Sequence, residues 1–260
     1  MADAESWALA LFRRSVVKQR KLAAIANALG PTEGLRCLDL GSDNGVVSLL
    51  LRRRGGRWAS ADLTPEAVAS IRELVKDDVH EVEPGPRLPF GDAEFDRVVV
   101  VDMLEHVADE AAFAAELARV TRPRGRLVVN TPHLKQTALR RLRERIGLTD
   151  EKHGHLRPGY TAASLSAALS KHFRLDACRT YSRFFTEAVD TVINWGMSRL
   201  GKKSSAKGMV VTVSDLQRHR KAFRWYSLAY PAVWAISRLD GLLPWASGYM
   251  LLATLTRHED

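Results

Sequence analysis

The segment RCLDLGSDNG (Arg36–Gly45) predicts a strand that passes through a glycine turn into a helix. A short apolar run precedes Gly41, and a helical apolar pattern begins after Gly45 and stops at Gly55. Glycine permits both the tight turn and the close approach of a ligand to backbone N–H groups at a helix N-terminus. The segment therefore indicates a nucleotide-type binding turn, with a turn that binds nothing as the alternative.

The following segment, RWASADL (Arg57–Leu63), predicts a second strand that ends in Asp62. Thr64 and Pro65 then provide a helix cap and a first-turn proline. An acidic residue at this strand end, about 20 residues beyond the glycine turn, is where α/β nucleotide sites bind ribose hydroxyls. Asp62 is therefore a candidate ribose ligand, and a second helix cap is its alternative role.

The glycine turn and the second strand belong to a longer series of segments. The series is LDLGSDNG (Leu38–Gly45), ADL (Ala61–Leu63), LPFGDAEFDRVVVVDMLEHV (Leu88–Val107) and VTRPRGRLVVNTP (Val120–Pro132). In this order and spacing the chain resembles a class I S-adenosylmethionine-dependent methyltransferase, of the small-molecule type 11 group that includes the ubiquinone-pathway enzymes. A dinucleotide dehydrogenase, the nearest rival, is disfavoured because its Gly-x-Gly-x-x-Gly spacing is absent from the turn.

The resemblance implies S-adenosylmethionine as the cofactor and assigns residues to it. Asp62 would hold the ribose, the turn from Gly41 to Gly45 would hold the methionine end, and the end of the fourth strand would line the cleft. The implied cofactor-binding residues are Asp39, Gly41, Asp43, Gly45, Asp62, Leu63, Asp102 and Met103.

The chain departs from the family pattern at two places. The middle glycine of the usual turn is replaced by Asp43, whose carboxylate we interpret as compatible with the cofactor's ammonium or sulfonium group. The acid that often binds the adenine amine has only an approximate counterpart in Glu83, which stands next to Pro84, Gly85 and Pro86.

Alternating apolar runs and helical patterns predict an α/β fold. The resemblance implies a Rossmann-like, mostly parallel seven-stranded sheet with an antiparallel last strand and helices on both faces, to which the sequence adds a basic, aromatic-rich helical insertion. The predicted strands lie at about 36–41, 57–63, 79–83, 96–103, 126–131, 173–181 and 248–256, after one helix at about 7–29. The predicted domains are an N-terminal helical lid (1–34), a methyltransferase core (35–181 and 248–260) and an insertion (182–247).

Composition indicates an ordinary globular protein: 260 residues and 29.0 kDa, with 46% hydrophobic and 27% charged residues. Cys37 and Cys178 alone provide neither a disulfide framework nor a zinc spacing. The first residues lack a signal-peptide pattern, and no apolar run reaches the ~18 residues that span a bilayer. We therefore expect a cytoplasmic protein.

The positive charge is concentrated outside the core. Residues 182–247 hold ten basic and four acidic residues, and residues 134–160 hold seven and three, whereas the whole chain carries +9. Segment 182–247 is also rich in tryptophan, tyrosine and phenylalanine, a mixture typical of the headgroup region of an anionic membrane. The predicted roles are a helical cap or a peripheral contact with the inner face of the membrane, and nucleic acid is disfavoured.

Two segments hold candidate catalytic groups. His106 follows the fourth strand, at the sheet edge where open α/β folds bind ligands, and is a candidate general base or a packing residue. In KHGHLRPGY (152–160), His153 and His155 are further candidate bases, and Arg157 and Tyr160 are candidate substrate ligands. The spacing of the two histidines identifies no metal site.

The sequence thus predicts S-adenosylmethionine-dependent methyl transfer to a small-molecule, lipid-linked or glycan acceptor, most simply at oxygen. The motif NTPH (Asn130–His133) lies on the fifth strand and so is not the Asn-Pro-Pro-Tyr type of amine methylation site. The alternative is a non-catalytic, cofactor-binding regulatory or scaffold protein that retains the fold.

Overall fold

Seven short runs rich in valine, leucine and alanine form the strands of one sheet. The computed structural model describes residues 4–82, 87–149, 154–199 and 213–259. Within these ranges the strands are β1 (Arg36–Leu40), β2 (Arg57–Asp62), β3 (Val79–Glu81), β4 (Phe95–Val101), β5 (Thr121–Pro132), β6 (Phe173–Tyr181) and β7 (Met250–Arg257). Their spatial order is β3-β2-β1-β4-β5-β7-β6.

The direction of the strands confirms the predicted fold class. Strands β3, β2, β1, β4 and β5 pair in parallel, whereas β7 inserts antiparallel between β5 and β6. The carboxyl ends of β1, β2, β4 and β5 therefore meet at one edge of the sheet, which we call the carboxyl edge. In an open α/β sheet this is the edge that binds ligands.

Nine helices surround the sheet in the described part of the chain. They are α1 (Ala4–Phe12), α2 (Val16–Leu29), α3 (Val46–Arg52), α4 (Pro65–Val75), α5 (Glu110–Val120), α6 (Ala138–Arg145), α7 (Ala162–Leu169), α8 (Phe184–Arg199) and α9 (Val213–Arg238). Short 3-10 helices span Leu104–His106 and Leu239–Leu242. Polar caps begin several of the helices, for example Thr64 before Pro65 and Thr161 in a capping box with Ser164.

The N-terminal helix differs from its prediction. The sequence predicted one helix at about 7–29, but α1 ends at Phe12 and α2 begins at Val16. Ser15 causes the second start, because its side chain accepts a hydrogen bond from the backbone N–H of Lys18 (3.3 Å). Strand β5 also begins five residues earlier than predicted, at Thr121.

The core lies on both faces of the sheet. Along β4, Val98 and Val100 join one buried cluster, whereas Val99 and Val101 join a second cluster on the opposite face. All four valines are buried, as expected for a central parallel strand whose side chains alternate between two covered faces.

The insertion between β6 and β7 packs on the N-terminal helices. The rings of Trp7 and Phe223 lie 4.6 Å apart in an edge-to-face arrangement, and Gln19 Nε2 donates to Tyr230 Oη (2.8 Å). Buried Asp240 accepts from Thr186 Oγ1 (2.7 Å) and forms an ion pair with Arg20 of α2. One carboxylate therefore ties the end of the insertion to both α8 and α2.

We expect Asp240→Ala to lower the free energy of unfolding by about 2–3 kcal/mol, because it leaves Arg20 and Thr186 without their acceptor. Burial alone would raise the pKa of Asp240, but the hydrogen bonds from Thr186 and Arg20 lower it below its usual value. The stabilisation is thus present at neutral pH and is lost as the pH falls below about 4. Urea unfolding of both proteins at several pH values measures this difference.

Asp92→Ala is the control. Asp92 also pairs with an arginine, Arg119, but its side chain is 80% exposed. Its removal should change the free energy of unfolding by less than about 0.5 kcal/mol. Equal effects of the two substitutions would contradict the structural role of Asp240.

Candidate functional site

Hydrogen bonds to the Asp39 carboxylate connect the glycine turn to the neighbouring helix and strands. This residue is fully buried at the end of β1, and its carboxylate accepts from the hydroxyls of Ser42 (2.7 Å), Ser48 and Ser60 (2.6 Å). Arg52 Nη1 lies 3.4 Å from the same carboxylate. Asp39 was predicted as a cofactor ligand. In the structure its carboxylate links β1, the turn, α3 and β2 next to the carboxyl edge.

Both glycines of the turn are required by the packing. Gly41 has φ = +86°, and a Cβ on it would lie 2.3 Å from the carbonyl oxygen of Val101. Gly45 has φ = +74°, and its Cβ would lie 2.8 Å from the Cα of Ile71. A side chain at either place would force neighbouring backbone apart, so both positions require glycine.

The turn meets the end of β2 through Asp62. Asp43, in the left-handed region at φ = +54°, donates its backbone N–H to Asp62 Oδ2 (3.1 Å), and Leu63 N donates to Asp62 Oδ1 (2.7 Å). These bonds place the Asp62 carboxylate at the carboxyl edge beside the turn. Glu83, the candidate adenine ligand, lies outside the described residues.

A polar cluster covers the ends of β4 and β5. Asp102 has φ = +44°, forms an ion pair with Lys21 of α2 and accepts from Asn130 Nδ2 (2.7 Å). Tyr181 at the end of β6 donates to Asn130 Oδ1. The N-terminal helix thus places a cation directly over the carboxyl edge, which sequence analysis did not predict.

The pKa values of the two lysines of α2 are shifted in opposite directions. Burial lowers the pKa of Lys18, although Asp43 opposes the shift. Burial also acts on Lys21, but the adjacent Asp102 outweighs it and raises the pKa of Lys21 above its usual value. Two ammonium groups of α2 therefore lie near the carboxylates of Asp43 and Asp102.

Met103 and Glu105, which follow Asp102, are buried in the protein interior. Met103 is fully buried and packs against Gly41, where a Cβ would come within 2.8 Å of the Met103 Cβ. Glu105 is also fully buried, and its Oε2 accepts from Thr131 Oγ1 (3.1 Å). Burial and the nearby Asp102 raise the pKa of Glu105 to about 8.

The loop at 154–160 is fastened onto the 3-10 helix that holds Glu105 and His106. Leu156 N donates to the Glu105 carbonyl (2.9 Å), and His106 Nδ1 lies 3.0 Å from the Gly154 carbonyl oxygen. The rings of His106 and His155 are consequently 4.9 Å apart and perpendicular. The structure thus brings together two predicted site residues that are 49 positions apart, whereas His153 lies outside the described residues.

Arg157 and Tyr160 hold this loop in place. Arg157 Nη2 donates to the Ala108 carbonyl (2.9 Å) and its Nε lies 3.3 Å from Glu110 Oε2. Tyr160 is buried, and its hydroxyl donates to Glu110. Contact of either residue with a substrate stays a prediction; in the structure both groups are engaged with the start of α5.

A cavity of about 110 Å³ opens beside His155, between α6, α8 and the adjoining ends of β5 and β7. Lys135 on its wall pairs with Glu187 (2.7 Å), and Arg143 lies 3.7 Å from Asp190. The buried hydroxyl of Tyr249 has no hydrogen-bond partner in the described structure. The cavity is lined by Pro132, His133, Lys135, Arg140, Arg143, Glu144, Leu148, His155, Glu187, Tyr249 and Met250.

Comparison with known proteins agrees with this geometry. Residues 38–129, which run from β1 into β5, match the profile of a family described as a methyltransferase domain. These 92 of the 260 residues are therefore similar to a methyltransferase domain. The fold of a solved S-adenosylmethionine-dependent methyltransferase from Mesorhizobium loti is also similar, with a TM-score of 0.55 at 16% identity over 93% of this chain and 98% of that chain.

Curated relatives match only part of this chain. The chain is 33% identical over 112 residues to a ubiquinone biosynthesis O-methyltransferase of Xylella fastidiosa, covering 39% of this chain and 43% of that protein. It is 40% identical over 103 residues to a demethylmenaquinone methyltransferase of a Mycobacterium species, covering 39% of this chain and 44% of that protein. The match therefore spans less than half the length of either relative.

We expect Asp39→Ala to lower the free energy of unfolding by about 3 kcal/mol, because three hydroxyl donors and Arg52 lose a buried acceptor. Ser48→Ala removes only one of these hydrogen bonds and should cost about 1 kcal/mol. Chemical unfolding of both variants measures the difference. Losses of the same size would show that the carboxylate does not organise the turn.

Proposed function

We propose that the protein transfers a methyl group from S-adenosylmethionine to an oxygen atom of a small, lipid-linked or glycan-like acceptor. The observation that carries the proposal is the position of the cavity beside His155. It adjoins the carboxyl edge that holds the turn, Asp62 and Asp102, so donor and acceptor sites can share one border. The match of residues 38–129 to a methyltransferase domain supports the reaction type.

The groups at the carboxyl edge fit the proposed cofactor. Asp62 offers a carboxylate to ribose hydroxyls, the contact that such strand ends make in α/β nucleotide sites. The methionine end of the cofactor is a zwitterion, and the edge presents both charges that it needs: Asp43 and Asp102 for the ammonium group, and Lys18 and Lys21 for the carboxylate.

The cavity fits an acceptor that carries an anionic or strongly polar group. Arg140 and Arg143 project from α6 into its wall, and Tyr249 adds a hydroxyl. Planar guanidinium groups bind carboxylate or phosphate oxygens through paired hydrogen bonds. These arginines belong to the basic segment 134–160, from which sequence analysis had named Arg157 and Tyr160, and not these two residues, as candidate substrate ligands.

Bound S-adenosylmethionine would supply an electrophilic methyl group on a sulfonium. The chain's own contribution is to hold the acceptor in line with that group and to exclude water, since orientation and desolvation lower the barrier of such a displacement. An acceptor hydroxyl must also lose its proton. His155 lines the cavity and His106 lies behind it, so both are placed to promote that loss.

We expect Asp62→Ala to weaken S-adenosylmethionine binding about 10- to 100-fold in calorimetric titration, because charge-assisted hydrogen bonds contribute about 1.5–3 kcal/mol. Asp62→Asn, which keeps one acceptor oxygen, should lose less. Asp92→Ala, on an exposed carboxylate, is the matched control and should bind as the parent does. Absence of binding by the parent would contradict the proposal, and binding without turnover on any acceptor extract would favour the regulatory or scaffold alternative.

We further propose that the insertion binds the surface of an anionic membrane, where lipid-linked acceptors reside. The side of α9 that faces away from α2 is apolar and continues into the following turn. Trp225, Leu228 and Trp245 are 74%, 73% and 78% exposed there, and exposed Arg224 and Arg238 stand among them. Exposed tryptophan beside arginine suits the headgroup region. No helix in the described ranges has the length and apolarity to cross a bilayer.

We expect the parent protein to float with vesicles that contain phosphatidylserine, and less with pure phosphatidylcholine or at high salt. The triple variant Trp225→Ser, Leu228→Ser, Trp245→Ser should stay in solution, because it removes the exposed apolar contact. Leu142→Ser, on an equally accessible side of α6, is the control. Flotation of the triple variant with the parent's yield would refute the proposed membrane contact.

A further inference from the structure

Glu105, His106 and His155 form a cluster where the 3-10 helix after β4 meets the loop at 154–160. Each offers one ligand atom, and these atoms lie within 4.8 Å of one another. The cluster stands between Asp102 on the carboxyl edge and the cavity that His155 lines. It therefore occupies the border between the proposed donor and acceptor sites.

The backbone holds the cluster in a fixed arrangement. Two hydrogen bonds join the loop to the helix at Glu105 and His106, and Arg157 adds a third contact by donating to the Ala108 carbonyl (2.9 Å). Tyr160 fixes the far end of the loop through Glu110. The three side chains thus converge without any ligand, which is the preorganisation that an ion site needs.

The hydrogen bond of His106 determines which nitrogen can bind a cation. A carbonyl oxygen only accepts, so the 3.0 Å contact with Gly154 requires the proton on Nδ1 and leaves the lone pair on Nε2. A metal-binding histidine commonly donates its other ring N–H to a carbonyl in this way, which fixes its tautomer and orientation.

Glu105 provides an independent indication of a ligand. The residue is fully buried, and one of its oxygens accepts from Thr131. The other, Oε1, is buried without a hydrogen-bond partner among the described residues. A buried carboxylate oxygen without a partner is costly, and a bound cation would remove that cost.

We propose that Glu105, His106 and His155 bind a divalent first-row transition-metal cation, such as Zn²⁺ or Mn²⁺. Two imidazoles and one carboxylate are a donor set that these ions accept, whereas Mg²⁺ and Ca²⁺ prefer oxygen ligands throughout. Three protein ligands leave at least one coordination position open. Since His155 also lines the cavity, a cation at this site would adjoin the space proposed for the acceptor.

This part of the proposal rests on the proposed methyl transfer. A cation bound at the cluster gives His106 and His155 a role in that reaction. A hydroxyl that coordinates the cation has a lowered pKa and releases its proton to water. The oxygen then bonds to the methyl carbon while the carbon–sulfur bond of the sulfonium breaks, and the electron pair of that bond stays on sulfur. In this scheme His106 and His155 act as metal ligands, and neither is the base.

The test is titration of chelator-treated, dialysed protein with ZnCl₂ and separately with MnCl₂, followed by calorimetry and thermal unfolding. We expect one site in the parent, with a midpoint temperature that rises when the cation is present. Glu105→Gln and His155→Ala should each weaken binding at least about 10-fold. His258→Ala, on an exposed histidine outside the cluster, should bind as the parent does.

The outcomes separate the cation site from the proposed function. Absence of saturable binding in the parent, or equal binding by all the variants, would overturn the site even if S-adenosylmethionine still binds. Cation binding that is lost in Glu105→Gln and His155→Ala would support the site even if the protein fails to bind S-adenosylmethionine. The melting temperatures of the cation-free variants show whether a loss of binding reflects unfolding.

Discussion

The carboxyl edge of the sheet depends on the buried carboxylate of Asp39. Its hydroxyl partners come from the turn, α3 and β2, so one side chain sets the distance between the glycine turn and Asp62. A charged group in this place is tolerated because three hydroxyls and Arg52 satisfy it. The turn and Asp62 are therefore positioned by hydrogen bonds that converge on the buried Asp39 carboxylate.

Segments outside residues 38–129 also contact the carboxyl edge. Helix α2 brings Lys21 over Asp102, and Asp240 at the end of the insertion binds Arg20, one position before Lys21. The anchor of the insertion and the cation over the carboxyl edge are thus neighbours on one helix.

Sequence patterns predicted the sheet because each strand is a local apolar run with a polar or glycine end. The antiparallel direction of β7 was predicted from the family resemblance, whereas the order of β1 to β5 in the sheet was not predicted. The break at Ser15 was missed because an apolar period continues across it, and only the cap marks it. The local sequence pattern was sufficient to locate the turn and Asp62. It did not predict the contacts of Lys21, Arg143 or Tyr249, because these contacts join segments that are far apart in the chain.

The match to the family profile includes groups of the carboxyl edge but none of the residues that line the cavity. The match to the family profile covers residues 38–129 and so includes the turn, Asp62, Asp102, Glu105 and His106. Arg140, Arg143, His155 and Tyr249, which line the cavity, all lie outside that range. The proposed donor groups of the turn, Asp62 and Asp102 thus lie in the part that is similar to a methyltransferase domain, whereas the cavity proposed for the acceptor is lined by residues outside it. The proposed cation site joins the two, because Glu105 and His106 come from the shared part and His155 comes from the other.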